Sequence, residues 1–147
     1  MNLTTWDREH IRINVNNLRG LSVAKLRDAL GALKAVELTG DEQKQIGYET
    51  TQDGARWEKD GYAKEIAFTD SERELVRGVV EGTVKMQAGA GLFSVNHAQR
   101  LVQLCAKLDL DFWEIVARAE EELESRNAAK EAQGDGGEPG PVDIDDA

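Results

Sequence analysis

The stretch from Tyr48 to Phe68, YETTQDGARWEKDGYAKEIAF, reads differently from everything around it. Two Asp-Gly pairs, Asp53-Gly54 and Asp60-Gly61, divide it into short segments rich in Tyr, Thr, Trp and Ile. Asp-Gly supplies the positive φ angles that tight hairpin turns require. The spacing predicts a small antiparallel β-meander of three strands, Tyr48 to Gln52, Ala55 to Glu58 and Tyr62 to Phe68. So few strands do not hold alone, and the side bearing Trp57, Ile66 and Phe68 must pack against helices. This segment makes the chain α+β and mostly helical, with four to five helices expected around the meander.

Downstream, Thr69-Asp70-Ser71-Glu72 is a capping box that opens a helix with Leu75, Val76, Val79, Val80 and Val84 on one face. Gly78 and Gly82 stand four apart in it. Each costs about 1 kcal/mol relative to alanine, so their presence predicts close approach of another backbone. The helix should end near Gln87, since Gly89 and Gly91 break it. Ser94 then caps a helix with Val95, Ala98, Leu101, Val102, Cys105 and Leu108 as its apolar positions. Asp109-Leu110 reads as a tight corner. The last helix follows, with Phe112, Ile115, Val116, Ala119 and Leu123 facing inward, and so short a link predicts an antiparallel hairpin.

Upstream, Thr39-Gly40-Asp41-Glu42 is a second capping box, for a short helix that Gly47 must stop. Ser22 caps a longer one, in which Val23, Leu26, Ala29, Leu30 and Leu33 share a face. In Ile11 to Leu18, IRINVNNL, apolar residues alternate with polar ones. Period two favours a strand, and a helix from Asp7 is the rival reading.

After Asn127 the pattern dissolves into AAKEAQGDGGEPGPVDIDDA. The low hydrophobicity and both prolines of the chain predict a disordered acidic tail over 128–147, attached to a single globular domain over 1–127. The net charge is −10, and half of it lies in the tail, where six acids face one base. Binding to phosphate backbones needs clustered Lys and Arg, so direct nucleic-acid binding is disfavoured. No apolar run approaches the roughly 18 residues of a membrane span, and MNLTTWDREH lacks the apolar stretch of a signal peptide. A single cysteine excludes an internal disulfide, and the chain reads as cytoplasmic.

The strong metal ligands are sparse: His10, His97 and Cys105. The last two lie on one helix about 12 Å apart, too far to share an ion. Cys105 reads as a small core residue and His97 as a helix-start residue near the surface. Neither histidine stands in a serine or cysteine nucleophile motif. Gly89-Ala90-Gly91 follows a helix and precedes no lysine, so it reads as a connector and not a phosphate loop. No catalytic residue, metal or cofactor is assigned.

The acids Glu120, Glu121, Glu122 and Glu124 close the last helix. The segment Leu108–Asn127 resembles the terminal helix of all-helical nucleotide pyrophosphohydrolases, which bind magnesium through paired Glu-x-x-Glu and Glu-x-x-Asp helices. That resemblance covers one helix and implies a magnesium-dependent nucleotide hydrolase, but no matching acidic helix precedes it. The solvated outer face of a helix is the preferred reading. A third reading is an acidic mimic of nucleic acid, which needs carboxylates gathered on one face.

The aromatic residues are more informative. Trp57 and Tyr62 flank the Asp60-Gly61 turn, and Trp113 adjoins Phe112 off the core stripe, where a tryptophan can anchor an interface. The tail contributes Val142, Asp143, Ile144, Asp145 and Asp146, two apolar residues alternating with acids. It resembles the acidic tips of bacterial single-strand DNA-binding proteins, which implies docking into a basic, apolar-lined pocket. The leading expectation is a non-enzymatic interaction module: an adaptor, inhibitor or assembly component of phage or mobile-element type. Its partner is another protein with a basic surface.

Overall fold

The computed structural model describes residues 1–137, with side chains described through Ala132. The proposed tail residues Val142, Asp143, Ile144, Asp145 and Asp146 lie outside the described residues. In chain order the elements are β1 (Asn2–Thr4), α1 (Thr5–Asn16), α2 (Val23–Val36), α3 (Gly40–Ile46), β2 (Glu49–Thr51), β3 (Gly54–Arg56), β4 (Ala63–Glu65), α4 (Asp70–Ala90), α5 (Val95–Lys107) and α6 (Phe112–Gly137). The architecture is α+β and mostly helical, as the sequence predicts, with six helices among the described residues.

The capping signals translate directly into helix starts. Thr39 and Thr69 each form a complete box with the glutamate three residues on, opening α3 and α4. Ser22 and Ser94 accept from the backbone at the starts of α2 and α5. Each such cap is worth about 1 kcal/mol. Gly47 and Gly91 end α3 and α4 in the left-handed conformation, at φ +70° and +66°. α4 therefore runs to Ala90, one turn past the expected stop.

Residues 11–18 belong to a helix, not a strand. Thr4 caps α1 through a box with Asp7. Ile11 and Val15, one turn apart, are buried, while Ile13 between them is 47% exposed. An i,i+4 pair and a period-two alternation share these positions, and the N-terminal cap decides between them.

The strands form two separate pairs, not a meander. β2 pairs with β3 antiparallel, Thr50 opposite Ala55, through the turn that Gly54 closes at φ +142°. The third strand turns away. Glu58 and Lys59 donate from their backbone to the Ile46 carbonyl at 3.0 and 3.1 Å, which pulls the chain back towards α3. β4 then pairs antiparallel with β1, Leu3 opposite Lys64. Leu3, fully buried, and Ile66, at 4% exposure, carry this second pair into the core.

The core lies between α1, α2 and α4, with α6 packed chiefly along α4 and less against its sequence neighbour α5. At the corner between α5 and α6, Asp109 adopts φ +57° and its carboxylate accepts from Arg73 at 2.6 Å. Arg77 donates to the Leu108 carbonyl at 2.9 Å, so α4 holds the corner from two positions. Phe112, Ile115 and Ala119 are buried as expected, and Leu123 is 36% exposed. α6 continues as helix through residues 128–137, and residues 120–132 are exposed throughout.

Two further expectations are reversed. α2 enters the core through Ala29, Ala32 and Val36, while Val23, Leu26 and Leu30 stand 75%, 47% and 58% exposed. Small residues let α2 lie close to its neighbours, so Val23, Leu26 and Leu30 fall outside the contact. A side-chain carbon added at Gly78 or Gly82 would meet nothing within 4 Å, so no backbone crosses there. The close approach is at Gly31 in α2, where the carboxylate of Glu72, the capping residue of α4, occupies the space a side chain would need.

Candidate functional site

One turn of α1 separates Trp6 from His10, and their rings stack at 4.8 Å with 13° between planes. Ser94 fixes the start of α5, which brings His97 edge-on to Trp6 at 5.5 Å and to His10 at 6.0 Å. Arg100, one turn on, sits over the Trp6 ring at 5.7 Å. Burial pushes the His10 imidazole down to about 4; the neighbouring His97 adds to this and Asp7 opposes it. Burial and then Arg100 push His97 down as well. At neutral pH His10 is therefore an uncharged ring in a stack, and the Nε2 of His97 is buried without a hydrogen-bond partner.

Trp57 lines the same two clefts as Trp6. It follows β3 and stacks on Tyr48 at 6.4 Å with 7° between planes. As a shared wall, Trp6 and Trp57 both line each of two clefts of about 290 Å³. The first is floored by the polar face of α5, Asn96, Gln99, Arg100 and Gln103. The second runs between α1 and the β2–β3 hairpin, past Glu9, Arg12 and Ala55.

A buried polar frame holds the wall in place. Arg8 is fully buried in α1. Its guanidinium donates to both carboxylate oxygens of Glu42, at 2.8 and 3.1 Å, and to the carbonyls of Val36 and Glu37, at 3.1 and 2.6 Å. One side chain thus ties the end of α2 to the start of α3. The bond from Arg8, with those from Tyr62 and the Thr39 backbone, outweighs burial and holds the Glu42 carboxyl well below the usual carboxylate range. Beside it, Tyr48 donates to Glu9 at 2.7 Å, and Lys107 reaches from α5 to Asp7 at 2.6 Å. Burial, then the bond to Glu9, pushes the Tyr48 hydroxyl up to about 12.

The aromatic residues singled out in the sequence fall in three settings. Trp57 lies in the wall with Trp6. Tyr62 is partly buried and its hydroxyl is committed internally, donating to Glu42 at 2.6 Å. Trp113 is 68% exposed, rests edge-on against Phe112 at 4.9 Å, and lines neither cleft. The Trp6–His10–His97 cluster was not legible in the sequence, because its two helices are separated by most of the chain. The i,i+4 spacing of Trp6 and His10 was the one local signal.

Among the described residues no three His, Cys, Asp or Glu side chains converge on a common point. Cys105 is buried, and that burial pushes its thiol up to about 11, where the reactive thiolate is scarce. Among the described residues no helix is long and apolar enough to cross a membrane. No protein-family model matches this chain, and no curated protein or solved structure matches it either.

Proposed function

We propose that this protein is a non-enzymatic interaction module, an adaptor, inhibitor or assembly component that engages another protein through exposed aromatic side chains. The observation that carries this reading is the indole wall. Trp6 and Trp57 keep part of their surface open and both line two clefts of about 290 Å³ each. Ligand pockets are commonly about 300–1,000 Å³, so each cleft suits one or two side chains of a peptide rather than a whole small molecule. Asn96, Gln99 and Gln103 supply neutral donors and acceptors that can meet a peptide backbone, and Trp113 adds a separate exposed anchor. The acidic segment Val142–Asp146 assists by steering a partner with a basic surface. The protein acts in the cytoplasm, and its compact acidic form suits a phage or mobile-element component.

The test is affinity capture from a native cell extract with the wild type, Trp57→Ala and Trp113→Ala, each checked for folding by circular dichroism. Truncating an aromatic anchor costs at least about 2 kcal/mol, more than tenfold in affinity. A discrete partner retained by the wild type should therefore be lost from at least one variant. If both fold and retain it at wild-type yield, the aromatic reading is wrong.

A further inference from the structure

The outer face of α2 carries Val23, Leu26 and Leu30 at 75%, 47% and 58% exposure, and the line ends at Leu33, which is partly buried and packed against the core. The steps of three, four and three residues are those of the a and d positions of a heptad, repeated over two heptads. The helix already buries Ala29, Ala32 and Val36 on the adjoining face, so the core does not need Val23, Leu26 and Leu30. Arg27 and Lys34 both occupy the position that follows d, so they line one flank of the seam. Both are exposed, and among the described residues neither enters an ion pair. The acid of this helix, Asp28, is drawn away towards α4 by Ser71, which donates to it at 2.9 Å. One flank of the seam is thus basic on a chain whose net charge is −10, and the exposed Glu37 closes the far end of the line.

We infer that this strip is the docking face for one amphipathic helix of another protein, apolar at heptad spacing and acidic along the flank that meets Arg27 and Lys34. The spacing calls for a helix, because an extended strand presents its side chains at a period of two. The charge calls for acid, since carboxylates would complete two unpaired cations at the rim. A second copy fits less well. Two seams meeting antiparallel would bring Arg27 and Lys34 of one against those of the other. This inference concerns a different surface from the indole wall, and either can fail alone.

The test uses the full chain and two labelled three-heptad peptides that share leucines at a and d. One carries glutamate at the flanking positions and the other lysine. Fluorescence anisotropy is read at about 20 mM and about 0.5 M salt, on either side of strong screening. The expected result is that the glutamate peptide binds at least about tenfold more tightly at low salt and that the gap closes at high salt. Arg27→Glu with Lys34→Glu should reverse the preference. Leu26→Asp with Leu30→Asp should abolish binding of both peptides while leaving the thermal melt intact, since both leucines are exposed. The charge of the whole chain predicts the opposite order, so a wild-type preference for the lysine peptide overturns the proposal. Binding that survives the paired aspartates overturns it too. Sedimentation supplies a third check: a wild-type dimer that the aspartates dissolve would make the occupant a second copy.

Discussion

Replacing Glu42 with glutamine should be among the most damaging single-atom changes in this protein. Glu42 is 6% exposed and faces a guanidinium whose side chain has no solvent access at all. Removing one partner of a buried pair typically costs about 3–5 kcal/mol, because the remaining charge is left uncompensated. Here the Val36 and Glu37 carbonyls still accept from Arg8, so the lower end, about 3 kcal/mol, is expected. In either orientation the amide would also turn its NH2 towards a donating nitrogen of Arg8, where only an acceptor fits. For a domain of this size the midpoint of a thermal melt should drop by about 10 °C. The pH dependence supplies a second reading. A carboxyl held below its ordinary range in the fold contributes stability that is present above about pH 4.3, its unfolded value, and lost as pH falls through the folded one. The wild type should therefore lose stability on acidification below about pH 4.5 more steeply than Glu42→Gln. Urea titrations at pH 7 and pH 3.5 measure both effects. A loss below about 1 kcal/mol at pH 7 with an unchanged m-value would refute the view that Arg8 depends on Glu42 for compensation of its buried charge.

Three further outcomes are expected. His10 is pushed from about 6.5 to about 4, so the folded state resists its protonation, and stability should fall by up to about 3 kcal/mol as pH drops through that window. His10→Phe should remove that slope, and an unchanged pH profile in the variant would show that the imidazole is not buried neutral. Gly82→Ala, at an open exposed helix position, should stabilise by up to about 1 kcal/mol, and a lowered midpoint in a denaturant melt would mean something does crowd that site. Truncation after Asn127 should shift the thermal midpoint by less than about 4 °C, because residues 120–132 are exposed and, among the described side chains of α6, the last buried one is Ala119. A larger drop would show that the end of the chain packs.

The features read correctly from the sequence are those that a few neighbouring residues decide. Thr39 with Glu42, Thr69 with Glu72, Ser22 and Ser94 fix helix starts through bonds spanning three residues, and Asp109 fixes a corner by its own φ. What failed depended on partners far along the chain. The faces of α2 were assigned by hydrophobicity, yet its contacts favour alanines, because α1 and α4 lie close. The partner of β4 is β1, some sixty residues earlier, and no local turn signal can announce that pairing. The first helix was obscured by a coincidence of periods at Ile11, Ile13 and Val15, although the box of Thr4 with Asp7 was there to be read. The indole wall shows both cases. Trp57 was picked out by its residue type, whereas its companion Trp6 and the histidines emerge only when α1 meets α5.

The contact between Lys107 and Asp7 spans 100 residues, and it bears on how the chain folds as it is synthesised. α1 is made first, yet the helices it packs against, α2, α4 and α5, follow over the next hundred residues. At about 5–20 residues per second, Leu3, Ile11 and Val15 would wait about 5–20 seconds for the last of these neighbours to leave the ribosome. During that time an amphipathic helix with an uncovered apolar stripe is a natural client for a chaperone and a natural seed for aggregation. Long-range closure of this kind also slows refolding of the intact chain relative to a simple helical bundle of equal length, since the loop must close before the contacts that reward it can form. The N-terminal helix, central in the finished fold, would complete its contacts only once α5 has been made.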